Sequence, residues 1–118
     1  MSSRPVHEAA SSRNAATTAA LLAADPEHPW AVTTLFYIAV QLVEAALADF
    51  GDCSDNHGDR YARLHSRWGP SASAPFVKLK QASERWRYRG ISDAKRDIAL
   101  AETWARDLAR AVDERWPA

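Results

Sequence analysis

The chain has 118 residues, 47% of them apolar and 25% charged, with 15 basic and 15 acidic side chains. That is enough for one domain able to bury about two thirds of its unfolded surface, and it excludes two domains, global disorder and low-complexity architecture. The single cysteine, Cys53, excludes an intramolecular disulfide and a Cys-rich zinc site and fits a reducing cytoplasm.

The opening residues hold no apolar signal region, and the longest uncharged apolar stretch, residues 30–43, is 14 long. A membrane helix needs ~20, so neither secretion nor a membrane span is expected. The β-branched residues are scattered, no period-two alternation is sustained, and neither Asn-Gly nor Asp-Gly occurs, whereas alanine is abundant. Helix is therefore expected throughout. A first helix is expected from about residue 6 to residue 24; its Ser and Thr content blurs the start, so residues 1–8 read as a ragged terminus, and Asp25-Pro26 stops it.

The second helix is expected over residues 29–50, with Pro29 at its first position and Gly51 beyond its end. Trp30, Leu35, Phe36, Ile38, Ala39, Leu42, Val43, Ala46, Leu47 and Phe50 cover most of its circumference, and Glu44 and Asp49 are its only charges. A helix this apolar must be central. A polar loop over 51–56 precedes a short helix over 57–68, closed by Gly69-Pro70, and residues 71–75 read as a connector. From Pro75, Phe76, Leu79, Ser83 and Trp86 form a narrow stripe, with lysines and arginines on the other faces. Gly90 breaks that pattern and Ser92 is the expected N-cap of a last helix over 93–115. There Ala94, Ile98, Ala101, Ala105, Leu108 and Val112 make a heptad-like seam, Glu102 and Arg106 an i,i+4 pair, and Trp104 and Trp116 lie off the seam. The sum is a single all-α domain, an up-down bundle of four to five helices.

The zero net charge conceals an uneven distribution: net −5 over residues 1–56, +6 over 57–89 and −1 over 90–118. The cationic middle third could receive a polyanion or an acidic protein surface, or its charges could pair with the acidic first third.

Among chemical motifs there is no Gly-rich phosphate loop, no G-x-S-x-G, no H-E-x-x-H, no EF-hand pattern and no Cys pair, so no metal or nucleotide cofactor is expected. His7 lies near the terminus and His28 in a Pro-flanked turn, where solvated histidines are common. On the third helix His57, Arg60, Tyr61 and Arg67 fall near one face, with Arg63 elsewhere. Arg60 and His65 have the side-chain types that metal-free RNA cleavage requires, an imidazole to move the 2′-hydroxyl proton and a guanidinium for the developing phosphorane charge. Five steps along a helix turn the side chains about 140° apart, so the two converge only if the helix begins between them or a second chain contributes. The plainer alternative is a surface histidine and an arginine paired with an acidic neighbour.

The run W-A-V-T-T-L-F-Y-I-A-V-Q-L-V-E-A at residues 30–45, a polar loop, His57-x-x-Arg60, a helix ending S-E-R-W-R-Y at 83–88 and a long final helix together resemble the HEPN superfamily of small helical bundles. The likeness is to its short stand-alone bacterial members and covers roughly residues 10–115. The resemblance implies an up-down bundle that often dimerises, with an Arg and a His separated by four to six residues at the dimer cleft of the active ribonucleases. Arg60 to His65, R-Y-A-R-L-H, meets that spacing. Tyr61 departs from the polar residue that follows the arginine in active members, and Gln41 from the histidine of closer relatives. Many members are inactive as nucleases and serve as binding or scaffolding modules.

Two functions follow as expectations. One is RNA binding, or metal-independent RNA cleavage of the toxin or defence type. Arg60 and His65 would be catalytic, His57, Arg63, Lys78, Lys80, Arg85, Arg87 and Arg89 would contact phosphates, and the partner would be an antitoxin or a nucleotidyltransferase-like protein. The other is a non-catalytic module that forms a homodimer or binds a partner through the last helix's seam and exposed Trp68, Trp86, Trp104 and Trp116.

Overall fold

Five helices account for most of residues 3–89 and 93–117, the part described by the computed structural model. They are α1 (Arg4–Ala24), α2 (Ala31–Ala48), α3 (His57–Trp68), α4 (Pro70–Tyr88) and α5 (Ala94–Ala111), with no strand among the described residues. The all-α bundle expected from the sequence is the architecture observed.

Its centre is α2, whose Val32, Leu35, Phe36, Ile38, Val43 and Leu47 are buried, as the all-round apolar pattern requires. By length and composition α2 could cross a membrane, but 78% of it is buried inside this fold. Helix α1 runs antiparallel to it: Ser11 Oγ donates to Ile38 O (3.3 Å) and Thr18 Oγ1 to Thr34 Oγ1 (2.6 Å). Only Ser11 and Thr18 of α1 are buried, with Ala15 and Leu22 packed beside them, a seam of small residues that lets two helix backbones approach closely. Helix α4 also packs against α2, where Ser83 Oγ meets Thr33 Oγ1 at 3.4 Å. The expected stripe is its inward face, with Phe76, Leu79 and Ser83 buried and Trp86 packed against the core. Ile98, Ala101, Ala105, Leu108 and Val112 of the α5 seam are buried, Ala94 packs against them, and Glu102 pairs with Arg106 at 3.1 Å.

Several expectations are corrected. The terminus is helical from Arg4, anchored by ion pairs to Asp49 (2.9 Å) and Glu114 (2.6 Å), not ragged through residue 8. Pro29 and Trp30 form a turn before α2, which leaves Trp30 54% exposed instead of in the core. Residues 71–75 are helix, not connector. Pro75 lies inside α4 although it lacks the N–H for a helical hydrogen bond, because Ala72 and Ser73 are buried and tie the first turns to α3. Helix α5 stops at Ala111; beyond it Asp113 takes φ 58° and a tail brings Trp116 back onto the core.

The α5 cap is Asp93, whose side chain accepts from Arg96 N at 3.0 Å; Gly90 and Ser92, expected as breaker and cap, lie outside the described residues. Asp93→Ala is expected to cost about 1 kcal/mol, measured as a lower urea midpoint at unchanged slope.

Candidate functional site

The cationic third of the chain is carried by α3 and α4, and the two helices treat their charges differently. On α3 every arginine has a carboxylate. Arg60 Nε donates to Glu44 Oε1 at 2.8 Å, Arg63 binds Asp52 and, at 3.0 Å, Asp59, and Arg67 lies 3.5 Å from Asp52. The pairing of middle-third cations with first-third acids, weighed as the plainer alternative, is thus realised on α3 through Glu44 and Asp52. These contacts hold Asp52 below the usual carboxylate range, chiefly through its bond from Arg63. Asp59 is held low first by the Asp55 N–H and then by Arg63.

Arg60 and His65 do not meet within the chain. Arg60 is buried and points Nη1 at His57 Nδ1, 2.6 Å away. His65 is exposed; its Nδ1 lies 2.9 Å from Ser73 Oγ and its ring stacks on Tyr61 with centroids 5.9 Å apart. The 140° between positions five apart explains the separation. Arg67 is also corrected: it shares Asp52 with Arg63, four residues away, instead of joining His57 and Arg60.

Around His57 the fold assembles something sequence reasoning did not anticipate. Glu44, the lone carboxylate in the apolar stretch of α2, is buried and accepts from Ser54 Oγ, Ser54 N and Arg60. Arg60 then reaches His57, whose ring lies 5.2 Å from Phe36 and 6.2 Å from Phe76. Burial depresses the His57 pKa below its ordinary value, and the neighbouring charges of Arg60, Lys80 and Arg87 depress it further against a small opposing effect of Glu84. Two signals in the sequence could have found this chain of contacts: a single glutamate amid apolar residues, which needs a buried partner, and the i,i+3 spacing of His57 and Arg60.

On α4, Lys80 pairs with Glu84 at 2.7 Å, and this pairing holds Glu84 low. Arg85, Arg87, Arg89 and Lys78 form no ion pair among the described residues. Arg87 Nε reaches Ser83 O (3.4 Å) and its guanidinium lies over Tyr88 (5.5 Å); Lys78 lies over Trp104 (5.9 Å) on α5. At 100° per residue, Lys80 and Arg87 share one flank, from which their charges act on His57 of α3, while Lys78, Arg85 and Arg89 fall on another, exposed flank where Lys78 reaches α5. The seven proposed phosphate contacts are therefore brought together in part: His57, Lys80 and Arg87 as one group, Arg85 and Arg89 as a second, and Lys78, over Trp104, and Arg63 with neither. A surface groove of about 520 Å³ lies at the end of α4, lined by Gln81, Glu84, Arg85, Tyr88 and Arg89, with Tyr88 78% exposed. A second groove, between Phe50, Arg63, Arg67 and Trp68, also contains Asp52, which pairs with both arginines.

The tryptophans expected as exposed contacts are spent otherwise. Trp68, Trp86, Trp104 and Trp116 pack against the core, and so does the α5 seam, because a helix flanking α2 must bury that face within its own chain. No group of three or more His, Cys, Asp or Glu residues able to hold a metal occurs among the described residues. No family model, no curated protein and no solved structure matches the chain.

Proposed function

We propose that this chain is an HEPN-like bundle that binds single-stranded RNA through the cationic end of α4. The observation that carries the reading is the contrast between the two basic helices. Arginines of α3 are consumed by carboxylates, whereas Arg85, Arg87 and Arg89 are without ion pairs among the described residues and flank an exposed Tyr88. Free guanidinium groups supply phosphate contacts and an exposed aromatic ring supplies a stacking platform for a base, which is how sequence-tolerant single-strand binders work. Strand cleavage by Arg60 with His65 is not part of the proposal, since each is engaged elsewhere in the chain.

Binding of a labelled single-stranded RNA in EDTA across a salt series tests it. Affinity is expected to fall steeply with salt, and the triple substitution Arg85→Ala, Arg87→Ala, Arg89→Ala is expected to reduce the log–log slope by about 2, at ~0.7 per single-strand phosphate contact. A flat salt response would replace this reading with the non-catalytic interaction module. Cleavage in EDTA that Arg60→Ala or His65→Ala abolishes would return those residues to a catalytic role.

A further inference from the structure

The geometry points to His57 as a hydrogen-bond donor, held by Arg60, that seats a phosphate oxygen beside Lys80 and Arg87. An arginine has only N–H groups and stays protonated, so in the 2.6 Å contact between Arg60 Nη1 and His57 Nδ1 the imidazole nitrogen must be the acceptor. With its lone pair at Nδ1 engaged, the neutral ring carries its proton on Nε2. A second proton could enter only at Nδ1, against the Arg60 N–H.

Arg60 is not free to turn away, because Glu44 Oε1 holds its Nε at 2.8 Å and Glu44 is itself buried and held by Ser54. Phe36 and Phe76 fix the ring plane. Glu44, Arg60 and His57 thus form one directed chain, carboxylate to guanidinium to imidazole, ending in an Nε2–H. That nitrogen has no hydrogen-bond partner among the described residues and is not one of their fully buried unpartnered atoms, and the ring as a whole is half-buried.

The charges around this N–H set the ligand class. Arg60, Lys80 and Arg87 act on the ring from the cationic side and Glu84 from the anionic side. Glu44 pairs with Arg60 and Glu84 with Lys80, so Arg87, which feels Glu84 only at longer range, has no ion-paired counter-charge among the described residues. A singly charged phosphodiester oxygen supplies it and accepts the Nε2–H. The ring has no lone pair available as a base, so the seat binds without moving a proton. The choice of a phosphodiester over another anion rests on the RNA reading; the donor chain does not.

Two-bond proton–nitrogen correlation spectra of the ¹⁵N-labelled full chain test this, with His57 assigned by its loss in His57→Gln. The expected result is the Nε2–H form at pH 7, a ring still mainly neutral at the ordinary imidazole value of 6.5, and an Nε2 resonance that moves when inorganic phosphate or a short oligouridylate is added at constant pH. His57→Gln, whose carbonyl can accept from Arg60 while its amide donates outward, should keep RNA affinity within about threefold; His57→Phe should lose about tenfold. An Nδ1–H form, a ring half charged at or above pH 6.5, or an Nε2 resonance indifferent to both ligands would overturn the inference. RNA binding with a steep salt slope but no movement of Nε2 sinks the seat and leaves the RNA reading intact. Phosphate moving Nε2 in a chain that does not bind RNA supports the seat and removes the RNA reading.

Discussion

Arg60→Ala is expected to destabilise the fold by about 3–5 kcal/mol, because it leaves the Glu44 carboxylate, 5% exposed, without its cation in the apolar centre of the bundle. The cost lies in the orphaned charge more than in the pair. Replacing both partners by apolar residues of similar volume, Glu44→Leu with Arg60→Met, should therefore recover most of it. Urea unfolding of the two singles and the double gives the coupling directly. A cost below about 1 kcal/mol for Arg60→Ala would mean that Glu44 reaches water once unpaired.

The same variants carry a pH signature. His57 has a pKa depressed below 6.5 in the folded chain, so as pH falls the unfolded chain takes up that proton first. Stability should decline below about pH 6.5 and level off once the folded imidazole is also protonated. With Arg60 removed, one cause of the depression is gone and the decline should shrink. Asp52, Asp59 and Glu84, all held low, act further down the scale: the stability they lend is present above their ordinary values of 3.8 to 4.5 and is lost as pH falls through the lower folded ones.

Phe36→Ala should cost a comparable 3–5 kcal/mol by a different route, the loss of a ring that is 1% exposed at the junction of α2, α3 and α4. Phe36 meets Phe76 edge-on at 5.9 Å and His57 at 5.2 Å, so the cavity would open onto the histidine as well as the core. Phe76→Ala should cost about as much. The double variant should fall short of the sum by about 0.5–1.5 kcal/mol, since the first substitution already removes the aromatic pair. Additive costs would show that the two rings pack independently.

What the sequence made legible is what helical periodicity controls. The centrality of α2 followed from an apolar circumference, and the α4 stripe and the α5 seam followed from three- and four-residue spacing; all three are buried apart from Trp30 and Phe50, which lie past the ends of α2, and the partly buried Trp86 and Ala94. Periodicity is less informative at element ends, where a local rule competes with packing. Pro29 looked like a first helical residue but sits in a turn, and Pro75 looked like a boundary but sits within α4, because Ala72 and Ser73 have α3 to pack against. The site was harder still. Charge counting located the basic third, but which cations are free depends on where Glu44 and Asp52 arrive in space, and no spacing rule reaches across 16 residues from Glu44 to Arg60. The arginine and histidine singled out by spacing have separate partners, while the histidine at i−3, assigned a lesser role, is the one the arginine contacts.

The three ion pairs of Arg4, to Glu8, Asp49 and Glu114, have a practical consequence. They gather the start of α1, the last turn of α2 and the returning tail at one pole of a body 39 Å long, whereas Ser83 meets Thr33 toward the other pole, where the arginine-rich end of α4 emerges. A surface linker, an affinity tag or a fused protein attached ahead of Arg4 would therefore sit behind the bundle, and a chain immobilised through that end would present its basic pole outward.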